Sequence, residues 1–270
     1  MTRNRSNPFM WMTLIALLFF CIFLIQFIPP LFAEPGPMWY WMQRYWFPEV
    51  LIQTLILVIG TLSLSSLIGV SLAYWMSFYR IPFARLWDML LVIPLAIPSY
   101  LLGYIYVDLF SGTWYQPYVV ITNLPGAILI FSLTLYPYIY LAIRSFLSKQ
   151  PQTMFASAQS LGANSITMFW KIIFPLMRPA LIGAMVLVTM EVLNDYGLVQ
   201  YFGLRVYATT TFQAWFNGND LNTAVRFSVQ LIVFIIAILW MEASLRKSFK
   251  YSYSTTQIKP LMKKVLPRLS

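Results

Sequence analysis

The segment Ala156–Pro175, ASAQSLGANSITMFWKIIFP, is mildly polar in a chain that is otherwise rich in membrane-type apolar residues. It lies between two long apolar runs and carries one lysine, Lys171. A helix-turn-helix of this kind, on the positively charged side of a membrane protein, is typical of a docking element. The segment therefore predicts both a membrane fold and a contact with a second protein.

The helical pattern of this segment has two parts separated by a glycine. Apolar or small residues recur at helical spacing on each side of Gly162, which permits a break in the helix. Phe155, Ala158, Leu161 and Ser165 follow the first helical spacing, which extends three residues past Gly162, and Ile166, Phe169, Trp170 and Ile173 form a second apolar face. Pro175 is expected to stop the second helix. An amphipathic helix lying on the lipid surface is the alternative interpretation.

The composition places the chain among helical membrane proteins. Of its 270 residues, 60% are hydrophobic and only 10% are charged, too few polar residues to cover a soluble surface. The net charge of +10 comes from basic residues in loops and tails. Membrane orientation explains such residues, so no nucleic-acid partner is expected.

Several kinds of chemistry are excluded by the residue types that the chain contains. It has no histidine, which excludes His-ligated haem, zinc–histidine hydrolysis and nucleophile pairs that use a histidine base. Its single cysteine, Cys21, cannot form a disulfide within the chain. No glycine-rich phosphate-binding loop of the P-loop type occurs, so no site for ATP is expected on this chain.

We predict an all-α membrane protein with six transmembrane helices, because a run of about 20 apolar residues spans a bilayer. The predicted spans are Trp11–Phe32, Glu49–Trp75, Leu86–Phe110, Leu124–Ile143, Pro179–Val199 and Ala224–Met241. The chain then divides into a cytoplasmic N-terminus (1–10), a six-span domain (11–245) with a cytoplasmic loop at 148–178, and a basic cytoplasmic tail (246–270). A cleavable signal peptide ending at Ala33 is the alternative for the first span.

The basic residues predict the orientation. Fifteen of the 18 lysines and arginines fall on one side of the predicted spans, and three fall on the other. The three are Arg44, Arg205 and Arg226. Since cytoplasmic loops carry the excess of positive charge, both termini are predicted to be cytoplasmic, as six spans also require.

Two prolines interrupt the predicted third span. Pro94 and Pro98 lie in VIPLAIPSYLLGY, and each removes a helical hydrogen bond. The sequence leaves two interpretations open. The prolines form either a packing kink or a hinge that lines a pathway.

Carboxylates in the predicted fifth span are candidates for a translocation pathway. Glu191, Asn194 and Asp195 share a helical face, with Tyr196 beside them. An ionisable residue is costly in lipid and normally faces a cavity or a partner. Their oxygen atoms suit a hard cation, although no fixed metal site is predicted. Structural pairing of Asp195 with Arg205 or Arg226 is the alternative.

The loop resembles the ATPase-contacting loop of binding-protein-dependent ABC importer permeases. The pattern of that loop is E-A-A-x3-G-x9-I-x-L-P, and its spacing is matched throughout. The matching positions are Ala156, Ser157, Ala158, Gly162, Ile172, Phe174 and Pro175. Ala156 stands where these permeases have glutamate, so the resemblance predicts a coupling helix that lacks one carboxylate contact.

The resemblance extends to the ferric-iron uptake group of these importers. It is carried by VIPLAIPSYLLGY, by MEVLNDYGLVQYFG (190–203) and by TTTFQAWFNGND (209–220). It implies a bacterial inner-membrane permease, equivalent to the first six-span half of that group, that passes ferric iron from a periplasmic binding protein. It also implies a separate ATPase subunit that uses ATP, and a second permease half or a homodimer. No cofactor on this chain and no catalysis are expected.

Three other interpretations remain open on the residues alone. The chain could be a permease for another small solute. It could be a non-catalytic or truncated membrane scaffold. An intramembrane enzyme is the third, with Glu191 and Asp195 as an aspartyl-type pair, although their flanking sequence does not resemble one.

Overall fold

The computed structural model describes residues 8–111, 121–160, 162–247 and 264–265. Helices dominate these ranges. In chain order they are α1 (Pro8–Ile25), α2 (Ile28–Phe32), α3 (Pro37–Tyr45), α4 (Phe47–Phe78), α5 (Ala84–Leu90), α6 (Ser99–Ser111), α7 (Leu124–Ser148), α8 (Gln152–Ser160), α9 (Ser165–Met168), α10 (Phe174–Asn194), α11 (Gly197–Tyr201), α12 (Tyr207–Phe212) and α13 (Leu221–Lys247).

Shorter elements connect some of these helices. A 3-10 turn covers Ile93–Ala96, and π-helical turns cover Phe169–Ile173 and Gln213–Asn217. Two short strands, β1 (Tyr79–Arg80) and β2 (Lys264–Val265), pair in parallel. The rest of the predicted basic tail (246–270) beyond Lys247, and residues 1–7 of the predicted N-terminus, lie outside the described residues.

The core is built around α7. This helix packs along α4 and α10. In an 18-residue apolar stretch of α7, 67% of the residues are buried, whereas the corresponding share in α4 is 28%. At Gly69 the two backbones approach so closely that a Cβ atom would lie 2.9 Å from the Tyr136 carbonyl oxygen. Fully buried Ile139, Tyr140 and Ile143 fill the same face of α7. The predicted fourth span, α7, is therefore the central helix of the fold.

Four helical segments are long and apolar enough to cross a membrane. They are Phe47–Phe78, Leu124–Ser148, Ser165–Asn194 and Leu221–Ser244. A fifth crossing is formed if the bent pair Ala84–Ala96 and Ser99–Leu109 counts as one span. In α1 the apolar stretch Trp11–Ile22 is shorter than these segments. The sixth crossing that the sequence predicts at Trp11–Phe32 therefore stays a prediction.

The predicted third span is broken rather than continuous. Its two parts meet at 96°, far more than a kink within one helix. Pro94 and Pro98 both lie at the break, where neither can donate a backbone hydrogen bond. The Pro98 carbonyl accepts from the amides of Leu101 and Leu102, so α6 begins there as a new helix.

The fifth span begins and ends at other residues than the sequence predicts. The helix starts at Ser165 instead of Pro179, and it ends at Asn194 instead of Val199. Asp195 leaves helical geometry with φ −74° and ψ 112°, and the chain resumes as the short helix α11. The glycine that follows, Gly197, packs against Tyr100 of α6. This close approach to α6 explains why the helix breaks before Val199.

Pro175 does not stop the helix, contrary to the expectation from sequence. The preceding residues form a π-helical turn in which the Phe174 amide donates to the Phe169 carbonyl, five residues back. Pro175 then falls in the first turn of α10, where a missing amide hydrogen costs little. The π-turn thus lets one helix run from the loop into the span.

Candidate functional site

The two breaks in the helical spans meet at one cavity of about 300 Å³. Backbone that is not helical is tolerated at membrane depth only where it is buried in protein or lines a cavity. Residues of α6, α7, the 3-10 turn and the end of α10 surround it. The lining residues are Leu95, Ile97, Pro98, Ser99, Tyr100, Phe131, Thr134, Leu135, Tyr138, Glu191 and Asp195.

Asp195 joins the two broken spans. One oxygen of its carboxylate accepts a hydrogen bond from the Ser99 hydroxyl at the start of α6. The other accepts from the Leu198 amide at 2.9 Å, which caps α11. Asp195 therefore pairs with neutral donors in the structure.

The predicted pairing of Asp195 with an arginine is wrong. Arg205 instead forms an ion pair with Glu49 at 3.0 Å. Arg226 donates to the carbonyls of Leu31 and Ala33 at 3.0 and 2.7 Å. Both arginines are therefore engaged by a carboxylate and by backbone carbonyls other than those of Asp195.

Glu191 is held by a tyrosine from the central helix. The Tyr138 hydroxyl donates to its Oε1 at 3.0 Å. Tyr138 lies near the middle of Leu124–Ser148, so Glu191 lies at about mid-depth of that helix. The Glu191 side chain is nonetheless exposed on the surface of this single chain.

The structure brings together three of the six residues predicted for the pathway. Pro98, Glu191 and Asp195 line the cavity. The other three do not line it. Pro94 lies in the 3-10 turn, Asn194 is exposed, and Tyr196 stacks on Phe212 with ring centroids 4.0 Å apart.

The sequence analysis missed the two hydroxyl groups that hold these carboxylates. Ser99 follows Pro98 directly, and Tyr138 lies in the fourth span, 53 residues before Glu191. The only available signal was their polarity within apolar runs. Polarity marks such residues as unusual but does not identify their partners.

The cavity carries negative charge without positive charge. The charged side chains that line it are Glu191 and Asp195, and no lysine or arginine is among the described lining residues. Within the described ranges, no group of three or more metal-ligating side chains could hold an ion. The acidic side chains of the described lining can attract a cation.

The segment 152–173, which the sequence predicts to dock a second protein and which is here called the docking segment, is a helix-turn-helix between α7 and α10. Its first helix is α8, and the turn contains Gly162 with φ +81°, a left-handed conformation that favours glycine. Asn164 then caps α9, since its side chain accepts from the Thr167 amide at 2.7 Å. The second helix continues through the π-turn into α10, so it is part of a span and not a separate helix.

Aromatic contacts fix this segment to the end of α4. Phe155 of α8 stacks edge-on against Phe78 with ring centroids 5.2 Å apart. Phe169 contacts Tyr74 in the same way at 5.4 Å. Ile166 and Trp170 are 72% and 59% exposed, and they line an open pocket of about 320 Å³ together with Tyr74 of α4. The segment is thus anchored to α4 and still exposes apolar side chains beside that contact.

The predicted docking residues are partly exposed and partly buried. Ser157 and Gly162 are exposed, whereas Ala158 is buried and Ile172 and Pro175 are half-buried. Ala156 lies in α8, and its side chain is outside the described part of the structure. The exposed Ser157 and Gly162 are therefore the predicted positions that a docked protein could touch directly.

The chain belongs to the family of inner membrane components of binding-protein-dependent transport systems. The sequence profile of that family matches residues 65–247, more than half of the chain. The match begins in α4 and ends with α13, so it includes the cavity and the docking segment. It confirms the family predicted from the loop.

Curated relatives transport different solutes. The chain is 25% identical over 223 residues to the Fe(3+)-transport system permease protein FbpB 2 of Haemophilus influenzae, covering 81% of this chain and 42% of that protein. It is 26% identical to the sulfate transport system permease protein CysT of Salmonella typhimurium, covering 68% of this chain and 71% of CysT. The chain thus spans less than half the length of the iron relative.

A solved structure supports the fold. The chain resembles a bacterial alginate ABC transporter, crystallised in complex with an alginate pentasaccharide-bound periplasmic protein, with a TM-score of 0.71. The match covers 91% of this chain and 96% of the transporter chain at 14% identity. Such low identity shows a shared fold and carries no information about cargo.

Proposed function

We propose that this chain is the membrane-spanning subunit of an ATP-driven importer that passes a small cation, ferric iron, from a periplasmic binding protein to the cytoplasm. In this proposal it has six spans, with α1 and the bent pair each crossing once, and both termini are cytoplasmic in a bacterial inner membrane. ATP is hydrolysed by a separate subunit. The chain itself holds no cofactor and catalyses no reaction.

The observation that carries the pathway is the position of Glu191. This carboxylate lies at about mid-depth of the central helix and is exposed on the surface of the single chain. A charged side chain facing lipid at that depth costs about 3 kcal/mol or more. The exposed face is therefore proposed to meet an aqueous pathway and a second permease half rather than lipid.

The same argument supports the proposed partners. A second half, from another chain or a second copy of this one, covers the Glu191 face and completes the pathway. The match covers only 42% of the iron relative, so that protein is long enough to contain a second region of the same size. This length supports a requirement for two halves. The ATPase subunit is proposed to dock on α8 and the Gly162 turn, which together form the coupling helix, through the exposed Ser157, Ile166 and Trp170.

The sign of the cavity charge favours a cation over sulfate. Relatives that carry Fe(3+) and relatives that carry sulfate both match this chain. A sulfate dianion passing Glu191 and Asp195 would meet like charges and no described basic residue of the lining. Carboxylate and hydroxyl oxygens instead suit a hard cation. Sulfate is the second candidate, because the match covers 71% of CysT but only 42% of the iron relative.

Uptake by the purified complex tests the cargo and the pathway together. The chain with its native partners is reconstituted in proteoliposomes, and uptake of radioactive ferric iron and of radioactive sulfate is measured. Glu191→Gln should lower iron uptake by about a hundredfold, since a unit charge about 6 Å from a cation contributes roughly 3 kcal/mol at an effective dielectric constant near 20. The variant should still copurify with the ATPase.

Glu49→Gln is the matched control. It also removes one exposed carboxylate, but Glu49 pairs with Arg205 away from the cavity. Its iron uptake should stay within about twofold of the parent, because an exposed ion pair contributes at most about 1 kcal/mol. Equal iron uptake by Glu191→Gln and the parent would disprove the pathway role. Sulfate uptake without iron uptake would disprove the cargo.

A further inference from the structure

A polar ladder on the central helix holds the first half of the broken third span. Tyr136, Tyr140 and Arg144 lie four residues apart on one face of α7. The Tyr136 hydroxyl donates to the Leu91 carbonyl at 2.9 Å, and the Tyr140 hydroxyl donates to Asp88. Three successive turns of α7 therefore carry donors for the segment 84–96.

Arg144 makes the strongest contact of this ladder. Its Nε and Nη2 donate to the two oxygens of Asp88 at 3.2 and 3.3 Å. Its Nη1 donates to the hydroxyl of Ser77, a buried residue at the end of α4, at 3.2 Å. The Asp88 side chain is 36% exposed and that of Arg144 is 21% exposed, so water can compete for this ion pair.

The segment that Asp88 belongs to is weakly packed elsewhere. Neither α5 nor the 3-10 turn contains a buried residue. Leu86, Met89 and Ile93 are all exposed. The polar contacts to α7, with half-buried Leu91 and Val92, are thus its main attachments among the described residues.

This ladder connects the docking segment to the cavity. Phe155 of α8 stacks on Phe78, and the neighbouring Ser77 accepts from Arg144. Asp88 lies in the segment 84–96, which reaches the cavity wall at Leu95 and ends at the 96° bend. Each step in this series is a direct contact or a short stretch of helix.

We propose that Asp88 and Arg144 form a latch that holds the segment 84–96 closed over the cavity and opens when the docking segment moves. The two side chains are positioning residues, acting through Leu95 and the bend and not on the cargo. The inference rests on the proposed function, in which the cavity is part of the pathway. The contacts between Asp88 and Arg144 are nevertheless independent of the cavity, because neither residue lines it.

The test measures access to the cavity from the cytoplasmic side. Cys21→Ser removes the single cysteine of the chain, and Leu95→Cys places a thiol in the cavity wall. The complex is studied in inside-out vesicles with a membrane-impermeant maleimide, and the rate of labelling is measured. Ser244→Cys, an exposed position near the end of α13 and outside the docking segment, is the matched control for reagent access.

Loss of the Asp88 charge should make the thiol of Leu95→Cys more accessible to the maleimide. Asp88→Asn is expected to raise its labelling rate by about fivefold, the effect of weakening one partly exposed ion pair. Asp88→Glu keeps the charge and should stay within about twofold of the parent. Labelling of Ser244→Cys should be the same in all three backgrounds, which shows that the reagent reaches the chain equally and that the chain is folded.

An unchanged Leu95→Cys rate in Asp88→Asn, with unchanged Ser244→Cys labelling, would overturn the latch. If Asp88→Asn does not accumulate, Tyr140→Phe replaces it, because this variant removes one hydroxyl donor and keeps the ion pair. A smaller rise is expected there, and no rise overturns the proposal. Since labelling needs no cargo, the latch and the proposed cargo can fail separately.

Discussion

Gly162 shows how one residue sets the shape of the docking segment. Its φ of +81° lies in the left-handed region, and a Cβ atom there would meet nothing within 4 Å. The requirement for glycine is therefore conformational and not steric. The sequence identified this glycine from its place in a loop pattern, and the structure supplies the backbone reason for it.

Gly162→Ala is expected to weaken ATPase binding. A left-handed alanine costs about 1–2 kcal/mol, which strains the turn between α8 and α9. Copurification of the ATPase should fall by about fivefold, since 1.4 kcal/mol corresponds to a factor of ten. The measurement is quantitative mass spectrometry of the ATPase that copurifies with the tagged chain.

Gly203→Ala is the matched control for this prediction. Gly203 also has a positive φ, +65°, and open space around its Cβ position, but it follows α11 at the opposite end of the helices. The same backbone strain there should leave ATPase copurification unchanged. An equal loss in both variants would mean that strain lowers overall stability and has no specific effect on docking.

Among the helices, the close approach of α4 and α7 explains why α7 is the core element. Glycine at position 69 lets the backbone of α4 reach the Tyr136 carbonyl and the Ile139 side chain. Without a hydrophobic driving force between helices in lipid, such close packing contributes much of the association energy. The breaks at Pro98 and Asp195 then form where shorter elements pack against this rigid pair.

Gly69→Ala is expected to destabilise the α4–α7 pair. Its Cβ would lie 2.9 Å from both Ile139 Cβ and the Tyr136 oxygen, so the backbones must separate. Overpacking of this kind costs about 1–3 kcal/mol. The melting temperature of the purified chain in detergent should fall by about 5 °C.

Ser63→Ala provides the comparison on the same helix. Ser63 is exposed, and its hydroxyl bonds only back to the Ile59 carbonyl. Its melting temperature should match that of the parent to within about 1 °C. If Gly69→Ala were equally neutral, the close helix contact would not be a source of stability.

For the whole molecule, we expect the exposed Glu191 face to be covered in an assembly larger than one chain. Isolation from native membranes in mild detergent, followed by native mass spectrometry, should give a complex with two permease halves and an ATPase. The reason is that a charged face at mid-depth must be covered. The masses also distinguish a homodimer from a pair of different halves.

A lone chain under the same conditions would contradict this prediction. It would favour the interpretation as a scaffold or truncated chain. An ATPase without a second permease half would support docking on this segment. It would contradict the proposal that a second half covers Glu191. The two results can be told apart because each partner has its own mass.

Much of the site was accessible from the sequence because it depends on local rules. Apolar run length predicts spans, glycine and proline mark breaks, and a carboxylate in an apolar run marks a cavity. These rules identified Pro98, Glu191 and Asp195, which share the cavity wall. They failed at Pro175, because the π-turn before it depends on how the docking segment packs against α4 and is not encoded in proline itself.

The sequence alone determined the class of the protein, its apolar segments and the position of the docking loop, since hydrophobicity and residue spacing act over short stretches of chain. The tertiary structure alone decided which polar groups meet. Ser99 with Asp195, Tyr138 with Glu191 and Arg144 with Asp88 are separated by 96, 53 and 56 residues. Such pairs form because packing around α7 brings distant segments to one depth, and no local pattern records that geometry.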